Sequence, residues 1–326
     1  MLSAMLAAGR APSAFGLRED PRVQNLESRI ASLLGHEDAL FCPSCTLANQ
    51  IAIHLHCRAG DAVVAEAHSH IFTSEAGAMA ALSGVMALPV AGSAGVMHAK
   101  ALDQALRPGD AQRSSAGLLV LENTHVRSGG CVVPLAQMTA FAQAAHKAQV
   151  PVHLDGARLA NAAVALDVPL TALTQYTDSV AFSLNKSLGA PLGAMLAGPK
   201  TFIHEAERVR QRFGGGWRPA GMLAAAALVA LNGWEARLGI DHARASALVG
   251  GLEAISKVQV EPAAPRSNLV LASVAGVDAQ SLTHKLFEQG IQVIAFSPKA
   301  VRLALYHDIS DADVARTIEA FSAICA

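Results

Sequence analysis

Short apolar runs rich in Val, Leu and Ala recur through the first two thirds of the chain, at 39–42, 62–66, 85–90, 117–122, 150–155, 179–183 and 193–197. They lack the polar alternation of a half-exposed sheet and read as strands buried on both faces. The stretches between them carry helical spacing. After Pro134, a residue suited to a first helical turn, Leu135, Met138, Phe141, Ala142 and Ala145 fall three or four apart. Strand and helix alternating in this way predict an α/β fold, a mostly parallel sheet covered by helices on both sides. Beyond Gly214-Gly215-Gly216 the pattern changes to long helical segments at 222–231 and 234–255. Short strands follow at 269–272, 291–295 and 301–305, with helices at 281–289 and 310–324, which predicts a smaller α+β C-terminal domain. The expected organisation is an N-terminal arm over 1–20, a large domain over 21–228 and a small domain over 229–326.

Composition narrows the class. The 326 residues are 52% hydrophobic but only 4% aromatic, so the apolar content is Ala, Leu and Val spread along helices and strands. The most apolar stretch, 220–231, ends at Asn232-Gly233, short of the roughly 18 to 20 residues a membrane span needs. No basic leader precedes the apolar part of the first ten residues, and a cytoplasmic protein is expected. A formal charge of -1 gives no electrostatic case for nucleic acid or an anionic membrane, which points to a small-molecule partner. Five cysteines, an odd number, do not make a disulfide framework. Cys42-Pro43-Ser44-Cys45, with His54, His56 and Cys57 nearby, has the outline of a zinc or redox motif. It lacks a second tight ligand pair, because alternate residues of a helix point apart, and no metal site is expected.

Two segments carry the chemistry. Val152-His153-Leu154-Asp155-Gly156-Ala157-Arg158 puts an acid at the end of an apolar run, and Ser183-Leu184-Asn185-Lys186-Ser187-Leu188-Gly189 puts a lone lysine in a turn of small residues. Each alone has an ordinary explanation: Asp155 as a helix cap, Lys186 as a surface side chain. Together they are what pyridoxal phosphate requires, an amine to trap its aldehyde and a carboxylate to keep its ring nitrogen protonated.

Further segments give the chain a family likeness. Glu122-Asn123-Thr124-His125 with Ser128-Gly129-Gly130, Asp155-Gly156-Ala157-Arg158, Lys186 with Leu188-Gly189-Ala190-Pro191-Leu192-Gly193, Gly214-Gly215-Gly216 with Arg218, and the run from His70 to Gly77 follow one another in order. In this the chain resembles the low-specificity L-threonine aldolases, of the β-eliminating lyase group of aspartate-aminotransferase-like, fold type I enzymes. The resemblance implies Lys186 as the lysine that carries the cofactor, Asp155 as partner of the ring nitrogen and His70 as the residue stacked on the ring. It implies that Ser44-Cys45-Thr46, before a helix starting near Leu47, holds the phosphate, an arrangement that helix N-termini favour. Arg218 would reach the phosphate of a neighbouring subunit, in a homodimer or homotetramer with active sites at the interface. Arg158 and Arg302 are the candidates for the substrate carboxylate, since a guanidinium meets a carboxylate through two parallel hydrogen bonds. Either His125 or His70 is the acid-base group at the substrate hydroxyl, with Glu75 placed to orient His70.

The expected activity is cleavage of L-threonine or L-allo-threonine to glycine and an aldehyde. Several positions depart from the family pattern. The usual Leu-Arg-Ser-Asp-Thr opening, whose serine contacts the substrate carboxylate, is not in the sequence. Cys45 stands where the phosphate turn commonly has glycine, Val126 replaces an asparagine, and Phe15 replaces a tyrosine. These departures keep open a β-eliminating lyase, an aldolase for phenylserine-type substrates, or a cofactor-binding homologue of impaired activity.

Overall fold

The computed structural model describes residues 1–12, 14–261 and 267–326. The apolar runs form strands β1 (Asp38–Cys42), β2 (Ala62–Glu66), β3 (Met86–Val90), the hairpin β4 (Gly92–Ser93) and β5 (Val96–Met97), then β6 (Ala116–Glu122), β7 (Val152–Gly156), β8 (Ser179–Ser183) and β9 (Ala194–Gly198). Seven of them make one sheet in the order β1-β9-β8-β7-β6-β2-β3. Pairing is parallel from β3 through β8, while β9 runs antiparallel to both β8 and β1. Every residue of β2, β7, β8 and β9 is buried, as strands covered on both faces must be. One face packs on Leu26, Ile30, Phe141 and Leu159 and the other on Ile51, Ala52, Ile203 and Val209.

Register aligns the sheet's carboxyl edge. Glu122 of β6 lies opposite Asp155 of β7, and Asp155 opposite Ala181 of β8. The turns leaving these strands therefore converge on one crevice, where open α/β sheets bind ligands.

A smaller antiparallel sheet follows, made of β10 (Val258–Glu261), β11 (Leu269–Val274), β12 (Ile294–Ala295) and β13 (Ala300–Ala304) in the order β10-β11-β13-β12. The strand expected over 291–295 is reduced to the short edge strand β12, and β10 was not foreseen, because the alternating Val-Gln-Val-Glu pattern is too short to stand out. The first twenty residues hold a helix, Leu2–Arg10, packed against the helix Gly221–Ala230. The helix Pro21–Leu34 starts where Asp20 accepts from the Arg22 N–H and proline takes the first helical position.

The helix Trp234–Glu253 joins the two regions: Trp234 and Leu238 lie in the core of the large sheet, Ala245, Leu248, Val249 and Leu252 in that of the small one. Among the described residues no helix is long and apolar enough to cross a membrane.

Candidate active site

The helix Cys45–His56 runs under the crevice and is capped by Ser44, whose Oγ accepts from the Leu47 N–H at 3.1 Å. The N–H groups of Cys45 and Thr46 precede the point where intrahelical bonding begins and remain available to an anion. Cys45 is buried, which pushes its thiol up to about 12, as it does that of Cys42. Burial thus disfavours the reactive thiolate form at both positions of the C-x-x-C pair.

One turn into that helix, the buried amide of Asn49 ties two carboxylates together. Its Nδ2 donates to Asp155 Oδ2 at 2.9 Å and to Glu75 Oε1 at 2.9 Å. With both amide hydrogens so committed, Asn49 Oδ1 must accept, and it faces His153 Nε2 at 3.0 Å. His153 Nδ1 then accepts from Ser179 Oγ at 2.8 Å, and Ser179 Oγ receives His56 Nε2 at 2.9 Å. Every proton in this chain is assigned by the one before it. Burial, then the neighbouring His56, pushes His153 down to about 3, consistent with a neutral ring that both donates and accepts.

Asp155 is almost fully buried at 2% exposure, and its Oδ1 accepts the Ala157 N–H at 3.1 Å. No cationic side chain bonds to it among the described residues. Glu75 also accepts from Gln50 Nε2 at 2.6 Å and meets His70 Nδ1 at 2.9 Å. That hydrogen bond, outweighing burial, raises the His70 imidazole above its ordinary value, and its Nε2 has no protein partner among the described residues. His70, Glu75 and Asp155 bring potential ligand atoms within 4.8 Å of one another, but the Asn49 amide already uses both carboxylates.

His125 occupies different ground. It is buried at 1% exposure, its Nδ1 is 2.9 Å from Ser128 Oγ, and its Nε2 is 3.1 Å from Glu66 Oε2. Burial alone would depress this imidazole, but Glu66 and Glu122 raise it. Glu122 supports the backbone on either side, accepting the N–H of His70 at 2.7 Å and of Val126 at 2.8 Å.

The crevice opens as a cleft of about 380 Å³ lined by His70, Arg127, Arg158, Lys186, Phe296 and Arg302 among others. Of the sequence candidates, His70, Arg158, Lys186 and Arg302 thus meet in one space, with Asp155 beneath. Burial and then the charge of Arg302 lower the Arg158 guanidinium; burial and then Arg127 lower that of Arg302. Among the described residues no carboxylate pairs with Arg127, Arg158 or Arg302. Arg218 is exposed and lies outside the cleft of its own chain, its guanidinium 4.7 Å over the ring of Phe15.

The donor set fits pyridoxal phosphate on independent counts. A buried carboxylate without a cationic partner suits a protonated ring nitrogen, and a lysine in the cleft suits an aldehyde. Free N–H groups at a helix start suit a phosphate. Sequence reasoning missed Asn49, Glu122, Glu66, His153 and Arg127. The signal for Asn49 was present: Asn49-Gln50 interrupts an otherwise apolar helix on its buried side.

A family model described as beta-eliminating lyase matches residues 1–275. Low-specificity L-threonine aldolase 1 of Arabidopsis thaliana is 36% identical over 309 residues, 93% of this chain and 86% of that protein. The low specificity L-threonine aldolase of Escherichia coli (strain K12) is 33% identical over 311 residues, 95% and 90% of the two chains. Among solved structures, Leishmania major threonine aldolase superposes with a TM-score of 0.86 at 20% identity, covering 100% of this chain and 95% of that one. Serine palmitoyltransferase of Sphingomonas wittichii gives 0.79 at 17% identity, over 99% and 82%. Those two likenesses concern the fold alone.

Proposed function

The chain belongs to the beta-eliminating lyase family, and we propose from this membership and the cleft that it is a pyridoxal-phosphate-dependent aldolase cleaving L-threonine and related β-hydroxy-α-amino acids to glycine and an aldehyde. The observation that carries the reading is Asp155, buried, held by Asn49 and with no cationic partner among the described residues, beneath a cleft that also holds Lys186. When bound, the cofactor supplies an aldehyde to the lysine and a conjugated ring that accepts electrons. Lys186 anchors it, Asp155 holds the proton on its ring nitrogen, and the Ser44-Cys45-Thr46 turn receives its phosphate. Arg158 and Arg302 grip the substrate carboxylate and so select which bond at Cα opens.

The choice between the two histidines rests on access. His70 lines the cleft and has Nδ1 tied to Glu75, so its Nε2 is the group proposed to take the β-hydroxyl proton. His125, with both nitrogens facing Ser128 and Glu66, is proposed instead to hold the wall behind it. Arg218 is proposed to complete the phosphate site of a second subunit, in a dimer or tetramer. Five free cysteines suit the reducing cytoplasm in which we place the enzyme.

Incubation of the purified protein with L-threonine, L-allo-threonine and phenylserine should release equal amounts of glycine and aldehyde. Borohydride reduction followed by peptide mapping should find the cofactor on Lys186. A 2-oxo acid and ammonia in place of glycine would assign a β-elimination instead, and label on Lys147 or Lys200 would overturn the site.

A further inference from the structure

Arg127 is a third guanidinium in the cleft, beside the two proposed for the substrate carboxylate. It follows His125 on the turn Val126–Ser128, whose backbone is held by the bond from the Val126 N–H to Glu122. Its side chain reaches over the cleft, where Nη2 donates to Ser74 Oγ at 3.3 Å and the guanidinium carbon lies 5.3 Å from the centre of the Phe296 ring. Arg302 lies at the same 5.3 Å from that ring. Two guanidiniums thus share one aromatic ring, with no carboxylate beside either among the described residues.

With Arg158 and Arg302 proposed on the two oxygens of the α-carboxylate, threonine offers no second anion to Arg127. Arg158, Arg302 and Arg127 line the same cleft as Lys186. Arg302 and Arg127 both stand 5.3 Å from the Phe296 ring, in the wall that Ile294 also lines. The π surface of Phe296 is already engaged by cations, which leaves poor ground for stacking a substrate phenyl ring.

We propose that Arg127 reads a second carboxylate on the substrate side chain, so that the preferred substrates are acidic β-hydroxy-α-amino acids of the 3-hydroxyaspartate type. The proposal rests on the aldolase reading above and adds the substrate class. The reaction balances without any oxidant. The Cα–Cβ bond of 3-hydroxyaspartate breaks, the hydroxyl proton departs as Cβ becomes a carbonyl carbon, and the electron pair left at Cα takes up a proton. The products are glycine and glyoxylate.

The test uses the holoenzyme with L-threonine and the diastereomers of 3-hydroxyaspartate, measuring glycine, together with calorimetric binding of unreactive L-aspartate and L-alanine. Expected are a kcat/KM for one 3-hydroxyaspartate diastereomer at least tenfold above that for threonine and tighter binding of aspartate than of alanine. In Arg127→Gln the ratio of the two kcat/KM values should fall at least tenfold, through KM rather than kcat, and aspartate should lose its advantage. Arg127→Lys should restore part of it, because charge returns without the planar fork. Equal loss toward both substrates in Arg127→Gln, or no preference for the acidic substrate, overturns the proposal. If neither substrate is cleaved, the aldolase reading fails. An aspartate preference that Arg127→Gln abolishes would then still support the acidic subsite, and its absence would overturn that too.

Discussion

Asn49→Asp is the sharpest perturbation of the floor of the cleft, because it replaces an NH₂ by an oxygen without changing shape. The native amide donates at 2.9 Å to Asp155 and at 2.9 Å to Glu75. Hydrogen bonds to charged groups contribute about 1.5–3 kcal/mol each, so losing both removes roughly 3–6 kcal/mol before any repulsion is counted. Three carboxyl groups then crowd one buried point, and the folded state answers by binding a proton, which restores one O–H donor. The introduced carboxyl therefore has a folded pKa above its unfolded value of about 3.9. The folded state holds the extra proton over that interval, so the variant's stability is greatest at low pH and falls as the pH rises toward the folded pKa. Urea denaturation of the cofactor-free protein at pH 5.5 and pH 8 reads both effects. The deficit relative to wild type should be several kcal/mol at pH 8 and smaller at pH 5.5. A deficit under about 1 kcal/mol at pH 8, or one that does not change with pH, would refute the bridging role of the amide. Should Asn49→Asp not fold at pH 8, Asn49→Ala, which lacks the added charge, should still lose about 3 kcal/mol or more.

Asp155→Ala should retain the fold yet lose turnover by orders of magnitude, since preorganised electrostatic stabilisation is worth several kcal/mol; near-normal kcat with cofactor bound would reduce this acid to a cap. Glu75→Gln should lower the His70 pKa, read by NMR titration of the imidazole, because the Glu75 hydrogen bond is the main cause of its upward shift. The stability that this raised pKa contributes is present in full below about 6.5 and is lost as pH rises through the folded value, so the gap between wild type and Glu75→Gln should narrow at alkaline pH. Mixing Arg218→Ala with Lys186→Ala under subunit exchange should restore activity in hybrid dimers, as the intact Lys186 and the intact Arg218 then meet across the interface; proven exchange without recovery would confine Arg218 to its own chain.

What could be read before the structure follows physical reach. Strands buried on both faces announce themselves as apolar runs, so β1, β2 and β6 through β9 lie within two residues of expectation. The helices Leu2–Arg10 and Pro21–Leu34 lie outside the alternating middle of the chain that announces the fold, although Asp20-Pro21 is a recognisable helix start. Lys186, Asp155, Arg158 and His70 stand in local motifs. Their support does not, because Asn49 meets Asp155 across 106 positions and Glu66 meets His125 across the sheet. Such partners are set by register, Glu122 against Asp155, which no local pattern encodes. Arg127 was invisible for another reason: its partners Ser74 and Phe296 come from distant segments, and only their meeting makes its charge conspicuous.

The helix Trp234–Glu253 has a consequence for how the molecule comes apart. A rigid rod of some 30 Å, rooted by its first turns under one sheet and by its last turns under the other, transmits the melting of either region to its neighbour. A cut at 228 would strip Trp234 and Leu238 from the large sheet and leave those apolar side chains bare on the severed piece. Gene fragments ending at that boundary should therefore yield aggregates, while the intact chain should unfold in one sharp transition.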